Sequence, residues 1–75
     1  MNRPLTITEE RIIELMRSAA AAGTFLLLRD SIRQHVCAHH PGTGGIFGAL
    51  ENLERDGIIG RDARGWYHLV GVIHG

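Results

Sequence analysis

Residues 43–69, TGGIFGALENLERDGIIGRDARGWYHL, constrain the fold more than any other part of the chain. Ile46, Leu50 and Leu53 recur at helical spacing, which predicts a helix over about residues 44–56 with Thr43 as its cap. Gly57 then stands where a helix ends on a left-handed residue, and Ile58 after it can fold back onto Leu53, as in a Schellman ending. Ile58-Ile59-Gly60-Arg61 reads as a strand, Asp62-Ala63-Arg64-Gly65 as a turn, and Trp66-Tyr67-His68-Leu69-Val70 as the returning strand. Neighbouring strand residues point to opposite sides. One of Trp66 and Tyr67 therefore faces the core, and Trp66 or Leu69 is expected to stay partly exposed.

Upstream, Pro4 disfavours helix, and Thr6-Ile7-Thr8-Glu9 matches a capping box with Thr6 as cap and Thr8 as a competitor one step later. Ile12, Ile13, Leu15, Met16 and Ala19 or Ala20 form the apolar stripe of a first helix, which Gly23 ends. Thr24-Phe25-Leu26 has strand-like residues, and a short strand here would pair with the hairpin; Leu27-Leu28 either extends it or opens the next helix. Leu28, Ile32 and Val36, four apart, read as the buried face of a second helix that fades through Cys37-Ala38-His39. His40-Pro41-Gly42-Thr43 is the connector to the third helix. The class is α+β: three helices and a two-stranded hairpin in one domain spanning residues 1–75.

Charge narrows the partners. Eight basic and eight acidic residues cancel, so the whole molecule is not a cationic nucleic-acid binder. Lysine is absent, which removes the P-loop lysine and Schiff-base chemistry and leaves phosphate contacts to arginines and backbone N–H groups. The 44% apolar content is that of a globular chain, and no apolar run approaches the ~20 residues of a membrane span, so no membrane partner is expected. MNRPLTITEE lacks a hydrophobic signal core, and the single Cys37 suits a reducing compartment, so a cytoplasmic location is expected. A core this small makes homodimerisation through the first helix, or through Val72 and Ile73 of the C-terminal strand, an option.

With Ile46, Leu50 and Leu53 turned inward, the outer face of the third helix carries Gly44, Gly45, Gly48, Glu51, Asn52 and Arg55, flanked by Phe47 and Ala49. Of these, Asn52 and Arg55 have the donors that meet base edges. Each truly internal helical glycine costs about 1 kcal/mol relative to alanine, and close approach of a partner is one thing that offsets it. Gly44 and Gly45 also suit the turn and first helical turn; Gly48 lies deeper in the helix. GTGGIFG lacks the spacing and the lysine of a phosphate loop, although the N–H groups at the helix start could hold one anion. On the hairpin, Arg61 and Arg64 either meet phosphates or, for Arg61, pair with Asp62 or Asp56. His35, Cys37, His39 and His40 can each ligate a metal but are crowded at one helix end rather than in two separated pairs. No metal or cofactor is expected, and nothing orients a Cys–His nucleophile, so no enzyme is expected.

The run GGIFGALENLERDGII resembles the recognition helix and wing entry of winged helix-turn-helix transcription regulators, most of all PadR-like domains. Those domains share a glycine, a small or hydroxyl residue, an aliphatic, an aromatic, a small residue, and then a leucine-rich helix ending in Glu-x-x-Gly-Leu/Ile. Gly44-Gly45-Ile46-Phe47-Gly48-Ala49-Leu50 and Leu53-Glu54-Arg55-Asp56-Gly57-Ile58-Ile59 follow that order, about 20 residues in all. The chain departs from the family at Glu51, where a basic residue is usual, and ends before the dimerising helix that PadR-like regulators carry after the wing.

The resemblance implies a small repressor that reads duplex DNA. Asn52 and Arg55 would lie near base edges, Arg29, Arg33 and Thr43 on phosphates at the helix start with Gly44, Gly45 and Gly48, and Arg61 and Arg64 on the wing. The alternative is a winged-helix adaptor or inhibitor that docks another protein on the glycine-lined, nearly neutral face of the third helix.

Overall fold

The computed structural model describes residues 4–24 and 26–70. Its elements run α1 (Ile7–Ala21), α2 (Arg29–His39), α3 (Ile46–Arg55), β1 (Ile59–Arg61) and β2 (Tyr67–Leu69). This is an α+β arrangement of three helices followed by an antiparallel hairpin, in register Ile59 with Leu69, Gly60 with His68 and Arg61 with Tyr67. Among the described residues, no helix is long and apolar enough to cross a membrane.

Local hydrogen bonds explain most element ends. The Thr6 hydroxyl accepts from Glu9 N (3.2 Å), and Glu9 Oε1 accepts from Thr6 N (2.9 Å), so the capping box at the start of α1 is complete. At its end Thr24 N donates to Ala19 O and Gly23 N to Ala20 O, with Gly23 at φ 96°. α3 ends the same way: Ile58 N donates to Leu53 O (3.0 Å) and Gly57 N to Glu54 O (3.1 Å), with Gly57 at φ 79°.

The helices close over a core of Ile12, Ile13, Met16, Ile32, Val36, Ile46, Ala49, Leu50, Leu53, Ile59 and Tyr67. α3 sits centrally, packed against α1, α2 and β1, and its Leu50 and Leu53 are wholly buried. Burying one such side chain contributes about 1.5–3 kcal/mol. The hairpin is held to the helices by a third extended piece: Leu27 exchanges both backbone hydrogen bonds with Tyr67, at 2.9 and 2.7 Å. The expected strand before α2 is thus a single bridging residue at Leu27, and Phe25 of the expected segment lies outside the described residues.

Several expectations are corrected. Thr43 does not cap α3. The cap position is Gly45, left-handed at φ 69°, with no side-chain cap, so the helix starts at Ile46 rather than Gly44. Leu28 leaves the buried face of α2 because it precedes the first helical residue, and it is 42% exposed. Ala49 belongs to the core rather than the outer flank. β2 begins at Tyr67, and Tyr67 takes the inward place while Trp66 and Leu69 are half-buried. Val72 and Ile73 lie outside the described residues; Ile7, on α1, is 61% exposed.

Leu50→Ala is expected to cost about 2–5 kcal/mol and Thr6→Ala about 1 kcal/mol, both read from urea unfolding midpoints.

Candidate functional site

The connector between α2 and α3 is tied down by long-range side chains. Thr43 Oγ1 donates to the His40 carbonyl (2.7 Å) and accepts from Arg11 Nη1 of α1 (2.9 Å). Thr8 Oγ1 donates to the Gly44 carbonyl (3.4 Å), and Cys37 Sγ to the Thr43 carbonyl (3.7 Å). Two side chains of α1 therefore set the angle at which α3 leaves the connector. Thr43, expected to hold a phosphate, has its hydroxyl engaged within the chain.

Beyond this clasp lies a shallow groove of about 350 Å³ at the start of α3, lined by Arg33, Cys37, Thr43, Gly45, Phe47 and Gly48 among others. The first helical bond of α3 runs from Ala49 N to Gly45 O, so the N–H groups of Ile46, Phe47 and Gly48 precede the intrahelical ladder. Gly48 has no positive φ, and a Cβ there would meet nothing within 4 Å; the same holds for Gly44. Neither glycine is required by the chain's own packing. Gly45 is, through its left-handed backbone.

The expected site residues fall into separate groups. Arg29, from the first turn of α2, lies over the Phe47 ring at 4.4 Å from its centroid, joining α2 to the flank of α3; Phe47 is 38% exposed. Arg33 is exposed on the next turn of α2. Arg55 Nη2 donates to Asn52 Oδ1 at 2.9 Å, so these two residues form a pair on the outer face, beside exposed Glu51. Arg61 reaches Glu54 at 3.5 Å rather than Asp56 or Asp62, and lies 5.9 Å from the Tyr67 ring. A half-exposed pair of this kind contributes at most about 1 kcal/mol. Arg64 is exposed at the hairpin tip.

The hairpin tip is a tight, acid-capped turn. Gly65 N donates to Asp62 O, Asp62 N donates to Trp66 O, and Gly65 takes φ 87° within the turn. Asp62 Oδ1 accepts from Trp66 N (3.0 Å) and Arg64 N (2.9 Å). The hydrogen bond from Trp66 N, aided by that from Arg64 N and by the Arg64 charge, lowers the carboxyl pKa below its ordinary 3.8.

His35 Nδ1 donates to the Ser31 carbonyl (2.9 Å), and among the described residues no group of three or more His, Cys, Asp or Glu is placed to hold a metal ion. Sequence reasoning missed Arg11 and Thr8, whose partners lie 32 and 36 residues away, and the Arg29–Phe47 stack. No local pattern marks such contacts. No protein-family model, curated protein or solved structure matches this chain.

Two outcomes follow. Gly48→Ala is expected to stabilise the protein by about 0.5–1 kcal/mol, read as a higher melting temperature. The Asp62 contribution to stability is present above pH 3.8 and is lost as the pH falls through the lowered native value. Asp62→Ala is therefore expected to lower the urea midpoint at neutral pH, and the gap from wild type is expected to shrink below pH 3.8.

Proposed function

We propose that the chain is a winged helix-turn-helix protein that binds duplex DNA as a small transcription regulator. α3 lies in the major groove and the hairpin acts as the wing. The observation that carries this reading is the outer row of α3. Gly48 faces open space with no internal reason to lack a side chain, Glu51 and Arg55 continue its row at helical spacing, and Gly44 in the connector just ahead is equally open. A bare helix face lets another backbone come close, and Arg29, Arg33 and Arg64 are exposed cations that can meet phosphates. The element order, the Leu27–Tyr67 bridge to the hairpin and the resemblance of residues 44–59 to PadR-like domains support the same reading.

A second reading, docking of a protein partner on α3, is favoured by exposed Phe47 beside Gly48 and by the zero net charge. Salt separates the two. Duplex binding is expected to weaken steeply with salt, and Arg64→Ala is expected to reduce the log–log slope by about 0.9, one phosphate contact. Failure to retain any duplex at low salt would exclude the DNA reading, and a partner captured from the native host after nuclease treatment would favour the second.

A further inference from the structure

We infer that the Asn52–Arg55 pair makes α3 a reader of guanine rather than adenine, with Glu51 meeting a cytosine amine at the same or an adjacent step. The inference rests on the duplex-DNA reading above and adds the class of base to it.

A guanidinium has donors and no acceptor, so the Asn52 atom 2.9 Å from Arg55 Nη2 is the amide oxygen. An asparagine that reads adenine needs both ends of its amide: the oxygen accepts from the N6 amine and the nitrogen donates to N7. Here the oxygen is engaged, and the cation beside it would face the adenine amine donor. What the pair leaves unengaged is a set of donors: the Asn52 amide N–H groups and the remaining N–H groups of Arg55. Guanine alone among the bases offers two acceptors, O6 and N7, on its major-groove edge.

Neighbouring residues fit the same step. Gly48 lies one turn before Asn52 and faces open space, so a base edge can come close to the helix there. Glu51, exposed on the same face, is an acceptor only and matches the N4 amine of cytosine. The residue that departs from the family pattern thus acquires a role that a basic residue could not fill.

The test is selection from a duplex library with a randomised centre by the full chain at low salt, run in parallel with Asn52→Ala and Arg55→Lys. The lysine variant keeps the charge but loses the planar fork. Guanine is expected at one enriched position, and each variant is expected to reduce that preference about tenfold while the melting temperature holds. Adenine at the Asn52-sensitive position, a guanine preference unchanged in both variants, or duplex binding without base preference would overturn the inference and leave the DNA reading standing. No duplex retained at all would overturn both.

Discussion

The buried face of α3 is the constraint on which the rest of the structure depends. Leu50 and Leu53 are fully buried and Ile46 and Ala49 nearly so, and they pack against α1, α2 and β1 together. In a chain of 75 residues the apolar area available is small. α3 lies against both other helices and the first hairpin strand, and α1 lies against α2, α3 and β2, so these two packed helices together position the rest. The exit of α3 is set by the Gly57 ending, which sends the chain directly into β1, and its entry by the Arg11 and Thr8 clasp on the connector.

Fixing one face of a ten-residue helix so firmly leaves the opposite face as a defined surface. That surface has two parts of different chemistry. The N-terminal part is backbone-like, with Gly48 on the helix, Gly44 and Gly45 just ahead of it, and N–H groups that precede the helical ladder. The C-terminal part carries Glu51 and the Asn52–Arg55 pair. Arginines engaged within the chain and arginines left to solvent also separate. Arg11 and Arg61 hold elements together through Thr43 and Glu54, whereas Arg33 and Arg64 are exposed.

How much of this was legible in the sequence follows the range of the interactions. The capping box at Thr6 and Glu9 and the ending at Gly57 and Ile58 involve residues three to five apart, and both were readable. Thr43 was misread because its residue type suits a cap, while its hydroxyl is taken up by His40 and by Arg11 from another helix. Alternation identified β2 but could not set its phase. Tyr67 is buried and its backbone pairs with Leu27, a contact forty residues away in sequence that alternation does not reveal. At the candidate site, the glycines and the Asn52 and Arg55 donors were visible. Their openness and pairing were not, since both depend on what the neighbouring atoms fill.

The central claim is that the outer face of α3, and not another surface, is where the chain meets DNA. The most direct measurement is heteronuclear NMR shift mapping of the full chain as mixed-sequence duplex is added at low salt. The account predicts that the largest backbone shifts fall on residues 44–55, with Arg29, Arg33 and Arg64, while the exposed amides of α1 stay in place. Shifts concentrated on α1, or no shifts at high duplex concentration, would contradict it.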